Sequence, residues 1–430
     1  MKKVIFFTLS IVFSLNVIAN EVIKITWAGG GGLPKTFAIT ATAGFTIDWG
    51  DGTVETKTGG WQLLSHHYDS FDSFQAIITG GSADCFFTSL TCNGNRITAL
   101  DLSGCPALQV LNCGANQLSS LDVSKCLKLN RLECYTNQLS SLDLSANITL
   151  TQLSCYENRL ISLDISKCTA LTGLDCFDNQ LIDLDLSANI ALTGLGCGGN
   201  QLSSLDLSAN IALERLLCYN NRLTSLDLSN NPALRDRVDC YNNRLSLSDL
   251  YAISKKISNP FDRRLGTQTL VPQAVDPGSS VDFSDQAAFE GVATVFEVQK
   301  DGSPATISDD YTISAGIITF NEVGNYTVTM TNSAIVANDY YPAKVIAQFW
   351  VGIESIKDVA QTPEVLIYPN PTTGKVYIKT ENEPAPEVKL YSTDGKLLQH
   401  VRNTEIEMSG YDAGVYYLQV DEKMMKIIKK

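Results

Sequence analysis

Twelve cysteines are the residues of this sequence whose spacing most directly suggests chemistry. Seven of them recur every 21 residues from Cys92 to Cys218, and Cys240 follows 22 residues later. Such a series could form disulfides, bind a metal ion or pack as buried thiols. Disulfides are relevant because residues 1–19 read as a secretory signal peptide, with a charged start and a short apolar core, and exported proteins commonly carry disulfides.

Geometry favours packed thiols over both alternatives. Each cysteine lies two residues after an apolar residue, usually leucine, so both side chains point to the same inward face of a strand. On neighbouring parallel strands the Cα atoms would be ~4.8 Å apart, but the Cβ atoms point in parallel, whereas a disulfide needs them to converge. A second slot holds either cysteine or asparagine, which indicates a small inward-facing position rather than a ligand set; its members are Cys105, Cys126, Asn147, Cys168, Asn189, Asn210 and Asn231.

Histidine and carboxylate chemistry has little support. The sequence has three histidines, and His66 and His67 have no third ligand close in sequence to complete a metal site. Asp48 and Asp51 could bind calcium or stabilise a hairpin turn by hydrogen bonds, and we favour the turn. Because no candidate nucleophile is paired with a histidine, we predict no catalytic residue, no metal site and no cofactor.

One aspartate per repeat forms a further column. It could act as a cation-binding stripe, or it could accept hydrogen bonds from the serine two residues on and from backbone N–H groups. We favour the hydrogen bonds. The members are Asp101, Asp122, Asp143, Asp164, Asp185, Asp206, Asp227 and Asp249.

The elements that position these residues are repeats between Phe87 and Leu250. Their common phrase is Leu-x-x-Leu-x-Cys-x-x-Asn-x-Leu-x-x-Leu-Asp-Leu-Ser, and a fixed period in the twenties predicts a stacked solenoid. The phrase resembles the cysteine-bearing 21-residue repeat of internalin-type bacterial cell-surface leucine-rich-repeat proteins and of related surface antigens of Bacteroidota. That resemblance implies a role in adhesion or recognition, with no particular ligand.

The open strand face is the predicted ligand-binding surface of the solenoid. It carries a column of aromatic residues, arginines, and a group of glycines in the sixth repeat that we expect to leave a bare notch. The alternative is that exposed tyrosines merely favour strands. The predicted concave-face residues are Arg131, Tyr135, Tyr156, Phe177, Gly194, Gly196, Gly198, Arg215, Tyr219 and Tyr241.

The flanking segments are predicted to be mostly strands. Residues 20–85 resemble a PKD-type β-sandwich through the run from Ile47 to Thr53. We place the solenoid at 86–248 and a capping helix with its linker at 249–264, the helix running from Ser248 as its cap to Ile257. Residues 265–352 are predicted to form an immunoglobulin-like sandwich, followed by a linker at 353–363.

Residues 364–430 resemble the C-terminal sorting domain of the type IX secretion system. The resemblance rests on Tyr368-Pro369-Asn370-Pro371, on Asp394-Gly395 and on the strand beginning at Gly414. It implies passage across the outer membrane and contact with the secretion machinery.

These patterns together predict a multidomain, mainly β protein: a leucine-rich-repeat solenoid flanked by β-sandwich domains. We expect it to be secreted or displayed on the cell surface, and to recognise a protein or glycan of a host or neighbouring cell. A passive stalk and an unrecognised secreted hydrolase are the alternatives. The net charge of −14 argues against nucleic acid as a partner.

Overall fold

The structure is a computed structural model that describes residues 20–29, 34–70, 72–352, 366–368, 375–379, 386–392, 396–420 and 423–429. The predicted signal peptide at 1–19 and the predicted linker at 353–363 lie outside these residues. The described part is mainly β, as predicted, and its one α-helix has ten residues. That helix is too short to cross a membrane.

Six strands precede the repeats, and two sheets of this N-terminal region continue into the solenoid. Strand β1 (Val22–Trp27) pairs with β8 (Ile97–Asp101), which belongs to the first repeat, and β2 (Lys35–Ala41) pairs with β7 (Phe87–Thr91), the first strand of the solenoid sheet. The two regions therefore share one hydrophobic core, and the boundary predicted at residue 85 does not separate two cores. The strands are β1 (Val22–Trp27), β2 (Lys35–Ala41), β3 (Phe45–Asp48), β4 (Val54–Lys57), β5 (Gly60–His66) and β6 (Phe74–Gly80).

The solenoid sheet is built from one short parallel strand per repeat. Leu132 pairs with Leu111 on one side and with Leu153 on the other, so equivalent residues of successive repeats lie in register. Including β2 and β5, the sheet has eleven strands. Its repeat strands, with β8 beside them, are β7 (Phe87–Thr91), β8 (Ile97–Asp101), β9 (Val110–Asn112), β10 (Arg131–Glu133), β11 (Gln152–Ser154), β12 (Gly173–Asp175), β13 (Gly194–Gly196), β14 (Arg215–Leu217) and β15 (Arg237–Asp239).

The cysteines lie in the interior as predicted. All twelve are buried free thiols. Burial raises the pKa of the Cys134 and Cys197 thiols to about 12, because the thiolate would lose its hydration. The ladder is therefore apolar packing, with little thiolate available for oxidation or metal binding at neutral pH.

The asparagine that follows each strand ties neighbouring repeats together. Nδ2 of Asn137 donates to the carbonyls of Cys113 and Cys134, both at 3.1 Å, and Oδ1 accepts from the N–H of Leu118 at 2.9 Å. The bonds satisfy backbone groups that the turn would otherwise bury unpaired. This arrangement repeats at Asn116, Asn158, Asn179, Asn200, Asn221 and Asn243.

The second slot explains why cysteine and asparagine interchange there. Asn147 donates to the carbonyls of Val123 and Cys126, but its buried Oδ1 has no partner among the described atoms. A cysteine such as Cys168 gives up those two strong bonds and leaves no acceptor unpaired. The two hydrogen bonds that asparagine makes offset the cost of its unpaired oxygen, so either residue fits.

The aspartate column stabilises turns. Oδ1 of Asp143 accepts from the N–H of Ser145 at 2.9 Å. The same bond occurs at Asp101, Asp122, Asp164, Asp185, Asp206 and Asp227, which confirms the hydrogen-bonded interpretation for these positions. Asp249 differs, because it lies in the first turn of the helix.

That helix, α1 (Leu247–Lys256), covers the end of the repeats and begins earlier than predicted. Ser246, not Ser248, is its N-cap, and Ser246 and Asp249 form a reciprocal capping box. Buried Leu247, Leu250 and Ile253 close the interior. The chain then forms a 3₁₀ turn (Pro260–Asp262) and adds the short strand β16 (Arg263–Arg264) to the last repeat.

The region after the helix packs as a sandwich on the same continuous core, which reaches from Ile23 to Val351. Its main sheet runs in the order β17-β27-β26-β22-β23. A 3₁₀ turn lies at Ser284–Gln286. The strands are β17 (Thr267–Thr269), β18 (Gln273–Val275), β19 (Ser280–Asp282), β20 (Ala288–Phe289), β21 (Val292–Ala293), β22 (Val295–Lys300), β23 (Ser303–Pro304), β24 (Tyr311–Ser314), β25 (Ile317–Phe320), β26 (Gly324–Thr331) and β27 (Lys344–Val351).

The C-terminal region has its own core, centred on Val376, Val388, Leu390 and Leu418. Its described residues form a three-stranded and a four-stranded sheet. The Asn-Pro and Asp-Gly turns predicted at 370–371 and 394–395 lie outside the described residues. The strands are β28 (Leu366–Tyr368), β29 (Lys375–Lys379), β30 (Glu387–Tyr391), β31 (Leu397–Arg402), β32 (Glu405–Glu407), β33 (Gly414–Val420) and β34 (Lys423–Lys429).

Candidate ligand-binding face

The open face of the solenoid sheet carries three parallel columns of side chains. The strands supply two of them, because residues on either side of each buried leucine point outward. The residue after each cysteine supplies the third. The first column includes Arg131, Gln152, Gly173, Gly194, Arg215 and Arg237; the second Glu133, Ser154, Asp175, Gly196, Leu217 and Asp239; and the third Tyr135, Tyr156, Phe177, Gly198, Tyr219 and Tyr241.

The aromatic column forms two stacks. Tyr135 stacks on Tyr156 with ring centroids 4.8 Å apart, and Tyr156 stacks on Phe177 at 4.3 Å. Tyr219 stacks on Tyr241 at 5.0 Å, and Tyr241 stacks in turn on Tyr341 of the downstream sandwich at 4.7 Å. The ring spacing follows the strand spacing, so the repeat itself sets the stacking distance.

The glycines of the sixth repeat separate the two stacks. The sequence predicted a bare notch at these glycines, and the structure shows instead that neighbouring side chains occupy much of it. A Cβ on Gly198 would lie 2.8 Å from the Tyr219 ring, and a Cβ on Gly196 would lie 2.6 Å from Oδ1 of Asp175. Both glycines are buried. Their lack of a side chain lets neighbouring side chains fold over them. Gly194 alone faces open space, with no atom within 4 Å of an added Cβ.

Charges of both signs lie beside the aromatic stacks. Arg131 donates from Nε to Oε1 of Glu133 at 2.6 Å, so this arginine is held by an intramolecular ion pair. Arg215 is exposed beside the glycine interruption. Desolvation raises the pKa of the Asp175 carboxyl, and the positive charge of Arg215 opposes that shift. The pKa of Asp178 is raised by desolvation and by the negative charge of Glu157.

The hydroxyls of Tyr156, Tyr219 and Tyr241 stay protonated near neutral pH. Desolvation raises the pKa of Tyr156 and of Tyr219, and it raises the pKa of Tyr241 to about 12. Each of these three rings is therefore neutral and, with at least one face stacked on a neighbouring ring, presents its edge and a hydroxyl donor to a partner.

At the C-terminal end of the face, the side chains are paired within the protein. Asp239 is 1% exposed and accepts from Nε of Arg237 at 2.8 Å and from its Nη2 at 2.6 Å. Alternation alone indicates an outward side chain at Asp239, but the carboxylate is buried beside Arg237 and Arg264. The open part of the face therefore ends near Tyr219.

Two residues of the face are absent from the sequence-based prediction. Through the register of β5, β2 and β7, Trp61 lies in line with Val110 and Arg131, and Leu63 lies in line with Asn112 and Glu133. They are 65% and 61% exposed. The sequence of β5, Gly-Trp-Gln-Leu-Leu-Ser-His, shows no apolar–polar alternation that would assign these two side chains to a face, and the antiparallel pairing of β2 with the first repeat was needed to place them.

The turn at Asp48 and Asp51 is held by hydrogen bonds. Oδ1 of Asp48 accepts from the N–H of Gly50 and Oδ1 of Asp51 from that of Thr53, both at 2.9 Å, and the other Asp51 oxygen lies 2.6 Å from Nε2 of His66. Across the described ranges, no three His, Cys, Asp or Glu side chains are grouped as metal ligands.

Comparison with known proteins identified the C-terminal region. Residues 366–430 match the family model of the secretion system C-terminal sorting domain. The protein is accordingly marked for export and surface attachment. No curated protein matched the sequence.

The solved structures most similar to this one include bacterial leucine-rich-repeat proteins. The functional domain of InlJ from Listeria monocytogenes, described as including a cysteine ladder, is 24% identical, with 62% of each chain covered and a TM-score of 0.48. A leucine-rich-repeat protein of Leptospira interrogans is 22% identical over 43% of this chain and 48% of its own, with a TM-score of 0.36. Internalin C2 of Listeria monocytogenes is 21% identical over 37% of this chain and 73% of its own, with a TM-score of 0.31.

Proposed function

We propose that this protein is a non-enzymatic recognition protein of the cell surface. It binds a macromolecule of a host or neighbouring cell through the open strand face. The observation that carries the proposal is the pair of aromatic stacks beside exposed charged groups, on an exported chain.

The chemistry of the face fits a protein ligand best. Tyrosine and arginine are enriched in protein interfaces because they offer large contact areas together with hydrogen-bond donors. The rings are held in place by stacking, so little side-chain entropy is lost when a partner covers them. A glycan could also pack against the edges of the Tyr156 and Phe177 rings, whose faces are stacked on each other, which makes glycans the second class of ligand to test.

The part of the face between Phe177 and Arg215 is the predicted centre of binding. Here Gly194 leaves open space above the sheet, and Asp175 and Arg215 offer opposite charges on either side. Further along, Arg237 and Asp239 are already paired with each other. A partner that reaches the sheet at Gly194 can contact both aromatic stacks.

A substitution at Gly194 tests the proposal without disturbing the fold. Gly194→Arg adds a side chain where nothing lies within 4 Å, so the protein should fold normally while a partner is kept off the sheet. We expect at least a tenfold loss of affinity, equivalent to about 1.4 kcal/mol. Surface plasmon resonance against purified host matrix proteins, glycans and neighbouring-cell surface proteins would measure it.

The matched control is Ile211→Arg, which adds the same charge outside the strands at a residue that is 60% exposed. It should bind as the unmodified protein does. Equal affinity of the two variants and the unmodified protein for every ligand that binds would contradict the assignment of the face.

A further inference from the structure

The N-terminal edge of the solenoid sheet is a free strand. Strand β5 pairs with β2 through all seven of its residues, and it ends the order of the eleven-stranded sheet. In an antiparallel strand, N–H and C=O groups of alternate residues point to opposite edges. The second edge of β5 therefore presents backbone donors and acceptors that no other described strand pairs with.

This edge also has exposed apolar side chains. Trp61 is 65% exposed and Leu63 is 61% exposed, and both lie on the open face of the sheet. Their neighbours on the opposite side, such as Leu64, are buried in the core. The strand is thus anchored in the protein on one face while its other face and its edge remain available.

The edge lacks the features that usually prevent strand pairing. Natural edge strands are commonly short, or carry lysine, proline, a bulge or an inward-facing charge. Strand β5 reads Gly-Trp-Gln-Leu-Leu-Ser-His and pairs with β2 without a bulge. By contrast, β4 at the edge of the adjacent sheet carries Glu55 and Lys57.

We propose that β5 pairs antiparallel with β5 of a second copy of this chain, about a twofold axis at Leu63. The strand is self-complementary in this register. Leu63 lies opposite its own symmetry mate, and Trp61 lies opposite Ser65 and diagonal to Leu63 of the other copy. No like charges meet, because residues 60–65 carry none.

The pairing gives a closed dimer. A twofold contact uses the β5 edge of both copies at once, so it does not propagate into a fibre. The opposite end of the sheet cannot substitute, since β16 has only two residues, both arginine. Because the axis is perpendicular to the sheet, the open faces of the two copies lie on the same side and form one continuous surface.

Sedimentation of the full exported chain tests the proposal. We expect a monomer–dimer equilibrium that shifts toward dimer as salt is raised, because each copy is strongly acidic and screening reduces the repulsion. Concentrations up to about 500 μM are appropriate, since small interfaces associate weakly. A monomer at all concentrations, or dissociation on adding salt, would overturn the proposal.

Two lysine variants locate the contact. Leu63→Lys should abolish the dimer, because two like charges would meet at the axis. Ile148→Lys alters a side chain that is 60% exposed but lies away from β5, and it should leave the dimer unchanged. Loss of the dimer in Ile148→Lys, or its persistence in Leu63→Lys, would place the contact elsewhere.

An introduced cysteine tests the register. In a directly opposed antiparallel pair the Cβ atoms lie ~4.5–5.5 Å apart, near the distance that a disulfide needs. The twelve native thiols are buried, so an introduced surface cysteine is the thiol that forms an intermolecular disulfide. Mild oxidation should link Leu63→Cys into a covalent dimer and leave Ile148→Cys monomeric; no covalent dimer from Leu63→Cys would refute this register.

Discussion

The two ends of the eleven-stranded sheet are closed in different ways. At the C-terminal end, Gln268 takes the place of the next ladder asparagine. Its Oε1 accepts from the N–H groups of Asn243 and Leu245, and its Nε2 donates to the carbonyls of Cys240 and Leu265. At the N-terminal end, Asn95 of the first repeat bonds the backbone of Thr36 in β2, and the sheet simply continues to β5.

The difference shows how a repeat can be ended. At the C-terminal end, a side chain that imitates the next repeat satisfies the last backbone groups, and the strand edge left there, that of β16, is only two residues long. Additional strands also satisfy those groups, but they move the unpaired edge outward. The C-terminal end is therefore a stop, whereas the N-terminal end remains a surface at which another strand can pair.

Removing the Gln268 side chain should have the largest effect on the stability of the protein. Gln268→Ala leaves up to three buried backbone groups without a partner, since the Cys240 carbonyl keeps its bond from Asn243, so we expect the free energy of unfolding to fall by about 4 kcal/mol. Urea denaturation would measure it. Gln273→Ala, at an exposed glutamine, is the matched control and should change stability by less than ~0.5 kcal/mol.

The counterpart at the other end is Asn95→Ala, for which we expect a loss of only about 1 kcal/mol, because Asn95 is half-buried and water can replace its bonds. Equal losses in Asn95→Ala and Gln268→Ala would show that the two ends are closed equally firmly.

The buried ion pair at the C-terminal end should have the next largest effect. Asp239→Ala removes a carboxylate that is 1% exposed and leaves Arg237 without its partner, so stability should fall by about 3 kcal/mol. Thermal and urea unfolding would both show the loss. The double variant Asp239→Ala with Arg237→Leu should recover much of it; no recovery would mean that packing, not the unpaired charge, causes the loss.

The ion pair at the N-terminal end should matter least. Lys24 and Asp101 join β1 to β8 at 2.8 Å, and the hydrogen bond from Lys24 lowers the pKa of Asp101 to about 2. Both side chains are 42% exposed, so solvent screening should limit the loss in Asp101→Asn to less than ~1 kcal/mol at neutral pH.

The pH dependence of that small effect has a definite sign. The pKa of Asp101 is lower in the folded protein than in the unfolded chain, so its contribution is present above about pH 4 and is lost as pH falls toward about 2. Denaturation of the unmodified protein and of Asp101→Asn at a series of pH values should show the difference between their free energies of unfolding shrinking as the pH falls. A difference that grows toward acid would contradict this assignment.

The periodic part of the protein was predictable from sequence because each repeat makes the same local contacts. Leucine, cysteine and asparagine occupy fixed offsets, so the inward thiols, the ladder asparagines and the turn aspartates follow from the period alone. Aromatic residues at one offset likewise had to form a column. The sequence also carried the Ser246–Asp249 capping box, which places the helix start two residues before the predicted Ser248.

The ends of the repeat could not be predicted, because they depend on contacts between residues distant in sequence. The pairing of β2 with β7 merges the N-terminal region with the solenoid, so the likeness of residues 20–85 to a PKD-type module remains a prediction. The burial of Asp239 depends on Arg264, and the stacking of Tyr241 depends on Tyr341. The glycine interruption was visible in sequence, but the close approach of the Tyr219 ring to Gly198 was not.

The central claim is that the open face binds a macromolecule, and site-specific photo-crosslinking tests it most directly. A photoreactive aromatic residue would replace Tyr156 on the face or Ile211, which is 60% exposed outside the strands. On living neighbouring cells or host matrix, the Tyr156 position should give a saturable adduct that excess unmodified protein competes away and excess Gly194→Arg does not. Adducts from the Ile211 position alone would contradict the claim that the open face binds a macromolecule. Equal competition by the unmodified protein and by Gly194→Arg would contradict it as well.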